Sequence, residues 1–261
     1  MNYETLTIER RGAVATLWMD RPEVFNAFNE QLIAELALAC AELDADASVR
    51  VVVLAGRGKH FSAGADLNWM RRASASSEAE NLADSRKFAA MLCALAGLSK
   101  PTIARVQGAA LGGGTGLTAA CDMAIAAADA SFATSEARFG IIPAVISPYV
   151  LRAIGPRHAL RYFQSAERFD AAQAKTIGLV NEVVAVDQLD AAVEGLVQAL
   201  LACGPHAQLA AKQLVAALAG RAIDSAVADE TAMRIARQRA TDEAREGFAA
   251  FFDKRPPAWA A

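Results

Sequence analysis

Three consecutive glycines, Gly112, Gly113 and Gly114, stand between a predicted strand and a run of small helix-forming residues. The strand is predicted at residues 102–106, and the residues after the glycines predict a helix that begins inside the glycine cluster. Because glycine has no Cβ, ligand atoms can approach its backbone closely. The first N–H groups of a helix also lack an intrahelical partner and point toward an incoming anion. The cluster therefore predicts a strand–loop–helix unit with a backbone site for negative charge.

The same order of elements occurs earlier in the chain. Residues 49–54 form a β-branched, apolar run, interrupted only by Arg50, that ends near Gly56, as expected of a strand buried on both faces. Further strands are predicted around Arg11 and Gly12 within residues 6–19, at 123–127 and at 179–184. Helices are predicted at residues 29–43, 78–98, 148–154, 156–164, 171–177, 189–202, 205–219, 223–239 and 242–252. This pattern predicts an α/β core, residues 1–190, and a C-terminal helical segment for trimerisation or docking, residues 191–261.

Composition limits the classes of partner. The chain has 261 residues, 54% of them hydrophobic, and its mean hydropathy is +0.21, which favours a compact protein with internal or subunit interfaces. A net charge of −3 and the absence of long basic runs argue against nucleic acid as a partner. An anionic cofactor would need only a few well-placed cations.

Cysteine and histidine patterns indicate neither disulfides nor metal. The cysteines lack CxxC spacing, so we interpret them as small core residues in a reducing compartment. They are Cys40, Cys93, Cys121 and Cys203. The three histidines share no ligand spacing with them, so no metal site is expected. Residues 1–10 lack a leader pattern and no apolar stretch is long enough for a membrane span, so we expect a cytoplasmic protein.

Three segments, residues 61–67, 108–114 and 135–143, concentrate glycine, alanine and charged residues after predicted strands. Two such loops could supply two backbone N–H donors to one oxygen anion, an arrangement that suits the enolate of a thioester. Glycines alone are equally consistent with close packing of a helix against a sheet. A phosphate-binding P-loop is disfavoured because no Gly-Lys-Ser/Thr follows the cluster, and a dinucleotide fingerprint lacks its acidic partner.

Several short motifs occur together in a specific order. They are Arg21-Pro22 with Asn26-Ala27, residues 63–67, Lys100-Pro101 before a strand, the triple glycine with Cys121-Asp122, and Gly178-Leu179-Val180. In these motifs the chain resembles the enoyl-CoA hydratase/isomerase, or crotonase, superfamily from about Tyr3 to Trp259. The resemblance implies a crotonase-like ββα spiral core, a coenzyme A thioester as substrate, no permanently bound cofactor, and self-association as a trimer or a dimer of trimers.

The resemblance also implies residue roles. The oxyanion donors of the family match the N–H groups of Ala65 and Gly113, and Gly112 lies beside them. The first loop lines the adenine pocket of coenzyme A, which implies contacts from Ala63, Asp66 and Leu67, and Lys254 matches a lysine that approaches the cofactor. Asp66 and Lys254 could also be ordinary surface charges. Trp69 is assigned to the acyl-binding region, with a plain core role as the alternative.

The catalytic carboxylates match the family only in part. Hydratases of this superfamily use two glutamates; Glu136 matches the second, but Gly116 stands at the first. We therefore assign the acid–base role to Glu136, with a solvated glutamate or a salt bridge to Arg138 as the structural alternatives. The predicted reaction is hydration of a 2-enoyl-CoA. An isomerase with a single proton shuttle, or a non-catalytic acyl-CoA-binding or RNA-associated member, remains an alternative.

Two further segments indicate a particular class of acyl-CoA substrate. Residues 68–72 and 142–149 resemble bacterial hydratases that act on 3-methylglutaconyl-CoA or longer branched glutaconyl-CoAs. Such substrates carry a distal carboxylate, which a cation could bind. Arg72 and Arg138 are the candidate cations.

Overall fold

A computed structural model describes residues 3–260. Within them the chain forms nine strands: β1 (Leu6–Arg11), β2 (Val14–Met19), β3 (Val51–Gly56), β4 (Thr102–Val106), β5 (Ala109–Leu111), β6 (Met123–Ala127), β7 (Ser131–Ala133), β8 (Phe169–Asp170) and β9 (Glu182–Val184). It also forms ten α-helices: α1 (Glu30–Ala45), α2 (Leu67–Ala75), α3 (Glu78–Gly97), α4 (Gly113–Ala120), α5 (Ser147–Ser165), α6 (Ala171–Thr176), α7 (Leu189–Leu201), α8 (Pro205–Leu218), α9 (Ser225–Arg239) and α10 (Asp242–Phe252). No helix in this part of the chain is long and apolar enough to cross a membrane.

The larger sheet has six strands in the order β1-β2-β3-β4-β6-β9. Strands β1 and β2 form an antiparallel hairpin, and all other neighbouring pairs are parallel. Successive side chains of a strand point to opposite faces. Val52 and Leu54 therefore join the main core with residues of α1, α3 and α4, whereas Val51 and Val53 pack with α7. Both faces of the sheet are covered, as the continuous apolar run of β3 predicts.

The smaller sheet positions the loops of the candidate site. It consists of β5, β7 and β8, and β5 lies between the end of β4 and the start of α4. A bridge between Ser62 and Ala110 joins the loop of residues 61–67 to β5. A second bridge, between Phe28 and Ala65, joins the same loop to the segment before α1. The loop of residues 61–67 and the glycine cluster are thereby held side by side.

The mixed α/β core followed by C-terminal helices confirms the predicted fold class. Helix α2 is not predicted from the sequence. The helix is short and buries none of its residues, so its sequence carries no signal of a buried face. The two helices predicted at residues 148–154 and 156–164 are confirmed as the two parts of α5, which is kinked at the non-helical Gly155 with a φ of 71°. Strand β9 is shorter than predicted and begins only at Glu182.

The interpretation of all four cysteines as core residues is wrong for two of them. Cys40 and Cys121 are buried, whereas Cys93 and Cys203 are exposed. Cys93 lies on α3 and Cys203 follows α7, and both helices turn part of their surface to solvent. All four are free thiols.

The C-terminal helices differ in how they are attached. Helix α7 packs against the sheet through Leu189, Val193 and Val197. Helices α8 and α9 bury no residue, and α10 buries only Ala250. The division into residues 1–190 and 191–261 stays a prediction, and α7 crosses that boundary.

Candidate active site

The first candidate donor, the N–H of Ala65, is left free by the local strand pairing. Phe28 donates its N–H to the Gly64 carbonyl at 2.7 Å, and its own carbonyl accepts from Asp66 N–H at 2.8 Å. In a parallel bridge the residue between these two bonds turns its own N–H away from the partner strand. Among residues 3–260 no acceptor lies in hydrogen-bond range of Ala65 N–H, and Ala65 is exposed.

The second candidate donor, the N–H of Gly113, opens helix α4. Gly112 donates its N–H to the Ala133 carbonyl at 2.8 Å, and Gly116 donates to the Gly112 carbonyl at 3.0 Å. Gly113, as the first residue of the helix, has no intrahelical acceptor, and within the described chain no other acceptor replaces it. The positive end of the helix dipole adds to its attraction for an anion.

Glycine is required at position 113 by its surroundings. A Cβ on Gly113 would lie 2.9 Å from Cε2 of Phe28 and 3.1 Å from Cζ of Phe88. Two aromatic rings therefore lie against the backbone that carries the donor. Close packing is therefore one reason for glycine at this position, and the approach of a ligand to its N–H stays a prediction.

Glu136 stands beside this donor. It opens a short 3-10 helix, Glu136–Phe139, and its Oε1 lies 3.3 Å from the place that a Cβ on Gly112 would occupy. Gly112 has a φ of +50°, so an L side chain would be strained there as well as crowded. The Oε2 of Glu136 is buried and has no hydrogen-bond partner within residues 3–260.

The environment of Glu136 favours its protonated form. Burial raises the pKa of the Glu136 carboxyl above its ordinary value, although its backbone N–H acts in the opposite direction. No salt bridge joins Glu136 to Arg138 in the described part of the chain, so this structural alternative is not formed. A buried carboxyl with an unpaired oxygen is suited to exchange a proton with a bound ligand or water.

Gly116 faces an apolar side chain instead of a second carboxylate. It lies one helical turn after Gly112, on the same face of α4. A Cβ on Gly116 would lie 2.8 Å from Cβ of Ile146 and closer still to its Cγ2. Ile146 is fully buried, with 2% of its surface exposed. A glutamate at position 116 would therefore need space that Ile146 already fills.

Asp66 is a structural anchor of the first loop. Its carboxylate caps α2 by accepting from the Asn68 N–H at 2.8 Å and pairs with the Arg21 guanidinium at 3.2 Å. Burial opposes ionisation, but these hydrogen bonds hold the pKa of Asp66 below its ordinary value. Asp66 is thus not an ordinary surface charge. Leu67 beside it is 72% exposed and Ala63 is partly exposed, so both are accessible to a ligand.

The remaining candidates lie in different surroundings. Trp69 is partly buried and donates its indole N–H to Oδ2 of Asp84 at 2.7 Å. Arg72 forms a two-pronged pair with Glu30, with Nη2 at 2.7 Å from Oε2 and Nε at 3.1 Å from Oε1. Arg138 is exposed and has no ion pair among residues 3–260. Lys254 follows α10 in the C-terminal segment, outside the group formed by the two donors and Glu136.

Four residues of this site carry no sequence signal of their own. Ile146 lies within residues 142–149 with nothing to single it out, and no motif includes Phe28, Phe88 or Asp84. Phe28 stands just before the predicted start of α1, and its neighbour Asn29 caps that helix by accepting from Leu32 N–H at 2.9 Å. No local pattern shows which distant side chain faces a given glycine.

An apolar groove lies apart from this group, in the C-terminal helices. The residues that line it include Gly204, Ala207, Gly247, Phe248, Phe251 and Trp259. Among the described residues, no three His, Cys, Asp or Glu side chains are grouped closely enough to hold a metal ion.

Comparisons with known proteins cover nearly the whole chain. Residues 9–261 match the family model described as enoyl-CoA hydratase/isomerase. The chain is 34% identical to a crotonyl-CoA hydratase of Syntrophomonas wolfei, over 98% of this chain and 97% of that protein. It superposes on the crystal structure of an enoyl-CoA hydratase from Shewanella pealeana with a TM-score of 0.95 and 42% identity, over 98% and 96% of the two chains. It superposes on Pseudomonas aeruginosa AtuE with a TM-score of 0.93 and 37% identity, over 99% of this chain and 100% of that chain.

Proposed function

This chain belongs to the enoyl-CoA hydratase/isomerase family, with the crotonase-like fold of that family, and we propose that it hydrates a 2-enoyl-CoA with Glu136 as its only acid–base carboxylate. The observation that carries this proposal is the grouping of Ala65 N–H, Gly113 N–H and the unpaired Glu136 carboxyl. Two free donors for one thioester carbonyl and one partly buried carboxyl that accepts and returns a proton are what this reaction needs.

The two N–H groups act on the thioester carbonyl. When a nucleophile adds at C3 of the enoyl group, negative charge moves to the carbonyl oxygen and an enolate forms. Ala65 N–H and Gly113 N–H donate hydrogen bonds to that oxygen, and the dipole of α4 adds to their effect. Removing one such donor typically costs about 3–4 kcal/mol of transition-state stabilisation.

Glu136 handles the proton. As a carboxylate it accepts a proton from a bound water while the water oxygen forms its bond to C3. The protonated carboxyl then returns a proton to C2 of the enolate, which completes the addition of one water molecule. Burial raises the pKa of Glu136, so the group can both accept and return a proton without a large free-energy difference between its two forms.

Isomerisation is the second candidate, and the Gly116–Ile146 contact favours it. An isomerase moves one proton between C2 and C4 of the acyl chain and needs no bound water. Because Ile146 fills the space beside Gly116, the position of the first glutamate in two-glutamate hydratases, no acid is available there to hold a water. Mass analysis separates the two reactions, since hydration adds one water and isomerisation leaves the mass unchanged.

We propose a branched glutaconyl-CoA, such as 3-methylglutaconyl-CoA, as the preferred substrate. Arg138 is the better-placed partner for a distal carboxylate, because it is exposed and forms no ion pair within residues 3–260, whereas Arg72 is held by Glu30. A carboxylate–guanidinium pair is the stronger kind of hydrogen bond. Turnover of 3-methylglutaconyl-CoA should exceed that of crotonyl-CoA, and equal or greater activity on crotonyl-CoA would contradict this substrate.

Coenzyme A and subunit contacts complete the proposal. Ala63, Leu67 and the capped Asp66 turn form one wall of the nucleotide pocket, and Lys254 approaches the cofactor from the C-terminal segment. The exposed face of Phe248, Phe251 and Phe252 on α10 supports assembly as a trimer or a dimer of trimers. Light scattering after gel filtration measures the assembly. The cytoplasmic location expected from the free thiols is part of this proposal.

The test of the reaction is a panel of acyl-CoA thioesters followed by mass spectrometry. The wild-type chain should add water to 2-enoyl thioesters, and the Glu136→Gln variant should lose this activity while binding the same thioesters. Unchanged turnover in the variant, or no conversion of any thioester by the wild type, would contradict the proposal and favour an acyl-CoA-binding protein without catalysis.

A further inference from the structure

Helix α2 is tied to α3 through one aromatic side chain. The indole N–H of Trp69 donates to Oδ2 of Asp84 at 2.7 Å, and both residues are partly buried. Helix α2 fully buries none of its residues, and its one side chain that packs against the main core is Trp69. The orientation of the Trp69 ring therefore depends on this hydrogen bond and on its packing against the core and Phe88.

Those rings form a row that ends at the oxyanion donor. Trp69 meets Phe88 edge-on, with ring centroids 6.2 Å apart and planes at 82°. The ring centroids of Phe88 and Phe28 are 5.4 Å apart. Both phenylalanines lie against Gly113, within about 3 Å of the place of a Cβ on that residue. The row thus runs from the surface of α2 to the backbone that carries the second donor.

Other bonds attach α2 to the rest of the chain. The amide of Asn81 donates to the Ala73 carbonyl at 3.0 Å, and Arg72 pairs with Glu30 at 2.7 Å. The Asp66 carboxylate also caps the first turn of the helix. Loss of the Asp84 contact would therefore free the indole without detaching the helix.

We propose that Asp84 is a positioning residue that holds Trp69 against Phe88, and that these two partly buried rings, backed by the fully buried Phe28, form the wall on which the acyl chain lies next to the thioester. This inference rests on the proposed function, because it assumes that the thioester carbonyl binds at Gly113. An apolar acyl chain that leaves this carbonyl meets aromatic surface, and a ring held in one orientation loses less conformational entropy on binding than a free one. Asp84 acts only through Trp69, since its carboxylate accepts the indole N–H.

Kinetics of two Asp84 variants test this role. Asp84→Leu removes the acceptor, and we expect KM for the enoyl-CoA to rise about three- to tenfold, the usual range for one lost hydrogen bond. Asp84→Asn keeps an acceptor oxygen and should remain within about twofold of the wild type, because a neutral acceptor still makes the bond. The inhibition constant of free coenzyme A, which has no acyl chain, should stay the same in both variants.

Two controls separate positioning from a general loss of structure. Asp229→Leu places the same substitution on an exposed position of α9 and should leave KM unchanged. In a Trp69→Phe background, which lacks the indole N–H, Asp84→Leu should cause no further rise in KM. A rise in the inhibition constant of coenzyme A equal to the rise in KM, or additive effects of Trp69→Phe and Asp84→Leu, would overturn the proposal.

Fluorescence tests the same role without turnover. The contribution of Trp69 is the difference between the wild-type and Trp69→Phe emission spectra, since Trp18 and Trp259 remain in both. Asp84→Leu should shift this contribution and Asp84→Asn should not. If the wild type converts no thioester, the proposed function fails, while the fluorescence difference still decides whether Asp84 holds the indole. An unchanged spectrum in Asp84→Leu overturns the positioning role.

Discussion

The oxyanion side of the candidate site is made of backbone groups, whereas its acid–base side depends on one side chain. Ala65 and Gly113 present N–H groups that strand pairing and a helix start leave free. Glu136 lies against Gly112, and the apolar Ile146 fills the space beside Gly116, where the other carboxylate of the two-glutamate arrangement would act. The backbone part uses no reactive side chain, since both donors are main-chain N–H groups. The side-chain part can change with one substitution, and it decides which reaction follows.

The largest expected effect comes from breaking the acid–base side. Glu136→Gln keeps the shape of the side chain but cannot accept a proton, so kcat should fall by about 10²- to 10⁴-fold, the usual contribution of general acid–base catalysis. KM should change little. Steady-state kinetics measures both, and Glu182→Gln, an exposed residue on β9, is the matched control. A loss no larger than that of the control would mean that another group moves the proton.

Breaking the oxyanion side should have the next largest effect. In Gly113→Ala the new methyl group meets Phe28 and Phe88, so the backbone or the rings must shift and the donor moves away from the carbonyl oxygen. We expect kcat to fall by up to about 10²-fold, near the lower limit for removal of one oxyanion donor. Gly195→Ala on α7, where a Cβ meets nothing within 4 Å, is the control. Equal kcat values in the two variants would exclude Gly113 as a donor.

The contact between positions 116 and 146 can be tested by thermodynamic coupling. Gly116→Glu overfills the space beside Ile146 and should lower the free energy of unfolding by about 1–3 kcal/mol. Ile146→Gly leaves a cavity and also destabilises the fold. The double variant should be destabilised by less than the sum of the single variants, because each change relieves the other. Urea denaturation measures the three values, and simple additivity would show that Ile146 does not block position 116.

The smallest expected effect is a dependence of stability on pH. Because burial raises the pKa of Glu136 in the folded state, the folded chain holds this proton more tightly than the unfolded chain. The associated stability is present below the ordinary glutamate pKa and is lost as pH rises through the raised value. Glu136→Gln should therefore gain in Tm over the wild type as pH rises through this window. A difference in Tm that does not vary with pH would contradict the burial of a titrating Glu136.

Much of the fold was predictable because its signals are local. The apolar run of β3 and the order of strand, glycine loop and helix gave the core, and the spacing of apolar residues gave the C-terminal helices. Helix α2 gave no such signal, since it buries no residue. The exposure of Cys93 and Cys203 was also hidden, because an apolar neighbourhood in sequence does not show on which side of a helix a residue lies.

Within the site, the motifs of the chain were enough to propose the two backbone donors and the candidate acid. Gly112 to Gly114 allow the backbone to be approached, and a helix start leaves its first N–H free wherever it occurs. The side chains around these groups follow from the folded arrangement. Ile146 fills the space at Gly116, and Asp84 holds Trp69 beside Phe88. These contacts join segments that are distant along the chain, and they arise from the packing of α4 against α5 and of α2 against α3, which no local pattern specifies.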